Sequence, residues 1–315
     1  MPFGAFFNGS TNVGYFSSVA DGLLHGMGTD LFAKSANLIS GIAPLFAAGF
    51  GVYILLVVMS FYNRGLDENI MDFSKKMIGW LVIIACAFNA GTYNKLANLM
   101  YNLPEGVSAL FGTGDYTINA LDTNFDSILQ TVSNVFLAAE KLSLTSVGEK
   151  IGLYLIGCII FLLGGIFFLA ILAFYLVAKL SLAMVIMIGP IFLGALLFPA
   201  TRQWGMNWIG QILNYTVTIV FYVILGSLQN DFFNNHVNNL IENDLGSVIL
   251  LLPLASIMMT STMIFLVVAW SIPSISSALT GGASLGGMTR TMAQIGGYRL
   301  PSLGRAGGGG SIKKS

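Results

Sequence analysis

Residues 151–178 read IGLYLIGCIIFLLGGIFFLAILAFYLVA and contain no charged side chain. A bilayer core is about 30 Å thick, and a helix needs about 20 apolar residues to cross it. A charged side chain at the centre of the membrane costs about 2.5–3.5 kcal/mol on insertion scales. This stretch therefore predicts a membrane-spanning helix.

The same pattern recurs along the chain. Lys and Arg are absent from Leu38 to Phe61, from Met77 to Asn94 and from Gln203 to Thr289. Charged residues make up 9% of the sequence, and the mean hydropathy of +0.79 is too high for a soluble domain. The net charge of zero gives no bulk attraction to nucleic acid. We therefore expect an all-α polytopic membrane protein with about five full spans and one broken or re-entrant helix.

The distribution of apolar runs divides the chain into segments. We expect spans at Leu38–Phe61, Met77–Met100, Ile151–Ala178, Trp204–Leu228 and Gly246–Trp270, with a loop at Gln229–Leu245 and an end to the last span at Pro273. The segments are an N-terminal periplasmic or interfacial part (1–37), a two-span hairpin (38–100), a central periplasmic loop (101–150), a membrane bundle (151–273) and a Gly-rich basic cytoplasmic tail (274–315).

The central loop contains an amphipathic pattern. Its apolar residues recur at helical spacing: Phe125, Ile128, Leu129, Val132, Val135, Phe136 and Ala139. This spacing predicts a helix with one apolar face. We expect that face to pack on the chain's own spans rather than on a partner.

The Lys and Arg residues set an orientation, because short basic loops remain cytoplasmic. The loop Arg64–Lys76 and the tail are then inside, and the N-terminus and the loop 101–149 are outside. This arrangement needs an odd number of crossings, whereas a sixth apolar run lies at Ser181–Phe198. Gly189-Pro190 interrupts that run, so we expect it to be re-entrant, with Lys179 and Arg202 both at the cytoplasmic side. Six spans with one kink remain the alternative.

Residues typical of catalysis or cofactor binding are scarce. The two histidines, His25 and His236, lie far apart, and no His, Cys or carboxylate cluster has ligand spacing. Cys86 and Cys158 lie in predicted spans and are read as small apolar residues. No acidic residue lies inside a predicted span, which disfavours an ion-coupled transporter. We expect no enzymatic activity, no cofactor and no metal.

Two side-chain patterns stand out. Ala43, Ala47 and Gly51 form a ladder of small residues that favours close helix packing, within one subunit or between copies of a ring-like homo-oligomer. The second pattern is a polar stripe on one face of the run after residue 202. Its side chains either bond to neighbouring helices or line a wet interior. The stripe consists of Gln203, Asn207, Gln211, Asn214 and Thr218.

Three segments carry a family resemblance. They are KLSLAMVIMIGPIFLGALLFPATRQWGMNWIGQIL at Lys179–Leu213, ISGIAPLFAAGFGVYILL at Ile39–Leu56 and WSIPSISSALTGG at Trp270–Gly282. The chain resembles the TrbL-type polytopic inner-membrane subunits of type IV secretion systems, the family of the sixth VirB protein. The resemblance implies five crossings, a periplasmic N-terminus and a cytoplasmic C-terminus.

The resemblance also implies a function and a site. Such a subunit helps to pass DNA or protein substrate to the periplasm or to assemble the conjugative pilus. Its expected partners are further copies of itself, the minor and major pilins, the bitopic scaffold subunits, the secretion ATPase and membrane lipid. A small-molecule transporter or channel, or a scaffold without substrate contact, remains an alternative. The family's sensitive Trp region falls on Trp204 or Trp208, and interfacial anchoring is the competing explanation for these tryptophans. The broken helix, the charged and aromatic side chains that flank it and the polar stripe that begins there predict the functional region. It comprises Lys179, Gly189, Pro190, Arg202, Trp204 and Trp208.

Overall fold

The computed structural model describes residues 15–62, 70–111, 118–142, 147–242 and 248–280. These residues form eight α-helices and a short 3-10 turn at Ala109–Phe111, and no strand occurs among them. The helices are α1 (Tyr15–Tyr62), α2 (Ile70–Phe88), α3 (Ala90–Ser108), α4 (Ile118–Lys141), α5 (Val147–Met187), α6 (Gly189–Ala195), α7 (Arg202–Glu242) and α8 (Val248–Leu279). The expectation of an all-α protein is confirmed.

Four segments are long and apolar enough to cross a membrane: Lys34–Ser60, Val147–Met187, Arg202–His236 and Ser256–Leu279. A fifth crossing arises if α2 and α3 form one broken span, since together they pass the same test and are bent by 84°. The structure thus agrees with a polytopic protein of four to five spans. The basic tail from residue 281 and residues 63–69 of the predicted first loop lie outside the described residues.

The second predicted span, Met77–Met100, is not one straight helix. Asn89 separates α2 from α3 and has an extended backbone, with φ −102° and ψ 110°. Its side-chain oxygen accepts the backbone N–H of Thr92 at 3.0 Å, which caps the start of α3. Asn is a strong N-cap residue, and this cap is the physical reason for the break.

Several helices extend beyond their predicted ends. α1 begins at Tyr15, inside the segment 1–37 that the sequence predicted as separate from the first span. The predicted loop Gln229–Leu245 was wrong from 229 to 242, because α7 continues to Glu242. Pro273 does not end α8, which continues to Leu279. Proline is tolerated in membrane helices, where neighbouring groups can satisfy the freed backbone.

The amphipathic helix α4 packs on α5 and α7, so the expected docking on the chain's own spans is confirmed. Its buried apolar side chains include Ile128, Val132 and Ala139. Gly226 of α7 provides the space for this contact, because an added Cβ would lie 2.6 Å from the Leu121 side chain.

A row of polar side chains joins α4 to α7. Asn234 donates to the Ser127 hydroxyl at 2.9 Å and accepts from Thr131 at 3.3 Å. Asn124 accepts from Asn230 at 3.2 Å and donates to the Ser227 hydroxyl at 3.3 Å. These contacts explain why the polar end of α7 is a helix rather than a loop: its amides find partners on α4.

Candidate functional site

The interruption predicted at Gly189-Pro190 is present in the structure. α5 ends at Met187, and Ile188 connects it to α6 with φ −86° and ψ 1°. At about 1.5 Å per residue α6 is roughly 10 Å long, too short to cross a membrane. The first half of the predicted run Ser181–Phe198 is the end of α5, and α7 begins again at Arg202.

Pro190 leaves one backbone carbonyl of α5 without its helical partner. In an unbroken helix the carbonyl of Ile186 would accept from the N–H of residue 190, which proline lacks. The hydroxyl of Tyr93 on α3 donates to this carbonyl instead. The same hydroxyl lies against Gly189, where an added Cβ would overlap it. Tyr93 is completely buried and therefore connects the two sides of the break.

Trp208 on α7 provides a hydrogen-bond donor for the preceding carbonyl of α5, that of Val185. Its indole Nε1–H donates to the carbonyl of Val185 at 2.8 Å. In a continuous helix that carbonyl would accept the N–H of Gly189. Two side chains from two other helices thus satisfy the carbonyls at the break. We call Tyr93, Val185, Ile186, Gly189 and Trp208 the break clamp.

Gly189 is required by the break clamp for steric reasons. A Cβ added at this position would overlap both the Tyr93 hydroxyl and the Trp208 ring. The structure therefore gives separate reasons for Gly189, which allows close approach, and Pro190, which removes the N–H. Sequence reasoning found these two residues but missed Tyr93, which lies 93 residues before Ile186.

The structure separates the two tryptophans of the expected functional region. Trp208 is 5% exposed and belongs to the break clamp, whereas Trp204 is 60% exposed. Arg202, at the start of α7, is also exposed. Interfacial anchoring therefore fits Trp204 and Arg202, and it does not fit Trp208.

The turn after α6 is held by aromatic side chains of α1. The Phe198 ring lies 6.2 Å from the ring of Phe46 and 5.8 Å from that of Tyr53, measured between centroids. Gly194 of α6 packs against Phe46, where an added Cβ would lie 2.7 Å from the ring. The break is therefore fixed from α1 as well as from α3 and α7.

The polar stripe of α7 runs from the surface into the bundle. Gln203 and Asn207 are exposed, and the Gln203 amide donates to Asn207 at 2.9 Å. Gln211 is half-buried, while Asn214 and Thr218 are buried. The stripe thus starts beside the break and ends in the interior of the protein.

Lys179 does not end a span at the membrane surface, which corrects the sequence interpretation. It lies within α5 and is 2% exposed, with its Nζ 2.5 Å from Glu105 Oε1 and 2.7 Å from the carbonyl oxygen of Tyr101. Glu105 lies on α3, so an acidic residue does occur inside the broken span, against expectation. A buried ammonium requires such partners. The partner is 74 residues away in sequence, and no local pattern reveals it.

The small-residue ladder of α1 is only partly covered. Ala43 is half-buried, and Ala47 and Gly51 are exposed. An added Cβ at Gly51 would meet no atom within 4 Å. The ladder therefore has little role in packing within this subunit.

The described part of the chain has no group of three or more His, Cys, Asp or Glu side chains placed to hold a metal. Its distinctive site is a clamped interruption inside a helical membrane bundle, together with a polar stripe that starts beside it. These features define a polytopic membrane subunit with a broken helix at its centre.

The comparisons with known proteins give the family. The family described as TrbL/VirB6 plasmid conjugal transfer protein matches residues 50–272. The type IV secretion system protein VirB6 of Bartonella quintana (strain Toulouse) is 24% identical over 291 residues, which cover 89% of this chain and 86% of the relative. VirB6 of Bartonella henselae (strain Houston 1) is 24% identical over 217 residues, which cover 68% and 65%. The chain belongs to the TrbL/VirB6 family of type IV secretion membrane subunits.

Replacing Gly189 with Ala is expected to destabilise the protein, because the new methyl group would push Tyr93 or Trp208 out of the break clamp. Overpacking of this kind costs about 1–3 kcal/mol. Gly165→Ala on α5 is the matched control, since its Cβ would meet no atom within 4 Å. Thermal unfolding in detergent measures both variants. Equal melting temperatures for the two would contradict the steric argument.

Proposed function

We propose that this chain is an inner-membrane subunit that helps a type IV secretion machine move DNA or protein substrate toward the periplasm and helps to assemble its pilus. Membership of the TrbL/VirB6 family supports the assignment of this chain to a type IV secretion machine. The observation that supports a direct role in transfer is the polar stripe, which starts beside the break clamp and enters the bundle.

The physical argument concerns backbone and amides in an apolar environment. Irregular backbone at membrane depth is tolerated only where protein buries it or where it lines a wet cavity. The break clamp buries one part of this backbone. The exposed amides of Gln203 and Asn207 need water or a partner protein at the entrance of the stripe. A wet path that begins at the break meets both requirements.

The proposed partners follow from the family. They are further copies of this chain, the minor and major pilins, the bitopic scaffold subunits and the secretion ATPases, which would supply the energy. Membrane lipid surrounds the bundle, and the translocating DNA or protein would contact the subunit transiently. A scaffold without substrate contact, or a small-molecule transporter or channel, is the competing function.

Trp208→Phe is expected to lower substrate transfer about tenfold, which corresponds to 1.4 kcal/mol, while the amount of protein in the membrane stays near normal. Phenylalanine retains an aromatic ring but cannot donate to Val185, whereas Trp208→Ala would also leave a cavity costing about 3–5 kcal/mol. Pro190→Leu should act similarly, because it restores an N–H that competes with Tyr93 for Ile186.

The controls are Trp204→Phe and Pro199→Leu, since both wild-type residues are exposed. Transfer frequency and membrane abundance are measured together in all four variants. If Trp208→Phe and Pro190→Leu lose abundance in step with transfer, the region has only a structural role and the proposal fails.

The proposed orientation places α4 and the end of α7 in the periplasm and the N-terminus outside, with the loop between α1 and α2 and the tail in the cytoplasm. The asymmetry of Lys and Arg supports it. A Cys at exposed Gln130 should react with an impermeant thiol reagent on intact cells, and a Cys at Ser302 only after permeabilisation. The reverse pattern would exclude this orientation.

Self-association through α1 is proposed because Ala47 and Gly51 are exposed and allow close helix approach. Ala47→Leu should hold neighbouring helices apart and reduce the mass of the complex in native nanodiscs. Val58→Leu, at another exposed position of α1, is the control. A monomeric wild-type protein, or an unchanged mass for Ala47→Leu, would reject this interface.

A further inference from the structure

Helix α3 is connected to α2 through a single residue. Asn89 is the only residue between the two helices, and they meet at an angle of 84°. Its backbone is extended, and its side chain caps α3 rather than bonding to another helix. A one-residue connection of this kind allows the helices to change their angle through two backbone dihedrals.

The far end of α3, where Pro104 and Ser108 are buried, contacts one charged side chain of α5. The ammonium of Lys179 contacts Glu105 Oε1, the carbonyl of Tyr101 and the Tyr101 ring, whose centroid is 3.9 Å away. Both partners lie on α3, four residues apart. We call Lys179, Tyr101 and Glu105 the charge latch. Pro104, between the two partners, removes one helical N–H and weakens this end of the helix.

The two side chains of the latch differ in exposure: Lys179 is 2% exposed and Glu105 is 31% exposed. The second carboxylate oxygen of Glu105, Oε2, is nevertheless buried, and among the described residues it has no hydrogen-bond partner. If α3 moves away, Glu105 can be hydrated, but Lys179 loses the partners that make its burial tolerable. The ion pair therefore favours two distinct positions of α3, one paired with Lys179 and one released, over a continuous range of positions.

The outer face of α3 is mostly polar, unlike that of α2. Exposed polar residues at helical spacing on α3 are Thr92, Lys95, Asn98 and Asn102, and Leu99 is the one large apolar side chain exposed beside them in the described helix. On α2 the exposed side chains include Ile78, Leu81 and Val82. Contact with lipid tails would not stabilise the outer face of α3, because its amides and ammonium need water. The position of α3 depends on the contacts of its inner face.

We propose that α3 is a movable element that pivots at Asn89 and that the charge latch holds in place against α5. Tyr93 lies on the same helix and donates to Ile186 in the break clamp. Release of the latch therefore also withdraws the hydroxyl that bridges the break, so the two sites are coupled through α3. This inference concerns motion of the chain itself, and it does not depend on the substrate or on the proposed transfer role.

Electron–electron distance measurements in nanodiscs test the proposal. Spin labels are placed at Asn98 on α3 and Leu162 on α5, both exposed, after Cys86 and Cys158 are replaced with Ser. The protein with an intact latch should give one narrow distance. The double variant Lys179→Met with Glu105→Gln leaves no unpaired charge, and in it a second distance should appear. The population of this second distance relative to the first should be about tenfold or more higher than in the protein with an intact latch.

A label pair at Leu162 and Val267 is the control, because it reports on α5 and α8 without α3. It should keep the same distance in both proteins. An unchanged narrow distribution for the Asn98–Leu162 pair in the neutral variant would overturn the proposal. Broadening of the control pair as well would show that the ion pair supports the whole bundle, which also rejects a latch specific to α3.

Discussion

The arrangement of this protein depends on two backbone carbonyls that lose their helical partners. Pro190 has no N–H for Ile186, and the end of α5 separates Val185 from the N–H of Gly189. In an apolar environment an unsatisfied carbonyl costs several kcal/mol. Tyr93 and Trp208 remove that cost by donating to the two carbonyls. Two other helices therefore supply the donors that the helix break lacks.

This requirement links distant parts of the chain. Tyr93 reaches the break because Asn89 ends α2 and redirects α3 by 84°. Trp208 reaches it because the turn after α6 returns α7 along α5, with Phe198 packed on α1. The polar stripe of α7 starts at the same place, so the geometry of the break also decides where the exposed amides lie. The loss of two helical hydrogen bonds at the break therefore determines how α3, α5 and α7 pack together and where the polar stripe begins.

The parts of the fold set by local chemistry were predictable. Charge-free runs revealed spans, and the apolar spacing from Phe125 to Ala139 revealed α4, because each signal lies within one segment. Gly189-Pro190 revealed the break, since proline lacks an N–H whatever surrounds it. The sequence could not reveal how the break is satisfied, because Tyr93 is a single aromatic residue in a distant run. The position of Lys179 was predicted wrongly for the same reason: its partner Glu105 lies in the polar stretch for which the sequence predicts a loop. The polar end of α7 was likewise read as a loop, although its amides bond to α4.

The central claim is that Tyr93 donates a hydrogen bond to the carbonyl of Ile186 and that Trp208 donates one to the carbonyl of Val185. Solid-state NMR of the reconstituted protein, with ¹³C-labelled carbonyls at Val185 and Ile186, tests it directly, since a carbonyl shift reports the loss of its hydrogen bond. Tyr93→Phe should change the shift of Ile186 most, and Trp208→Phe that of Val185. The account is contradicted if Tyr93→Phe does not change the Ile186 shift more than the Val185 shift and Trp208→Phe does not change the Val185 shift more than the Ile186 shift.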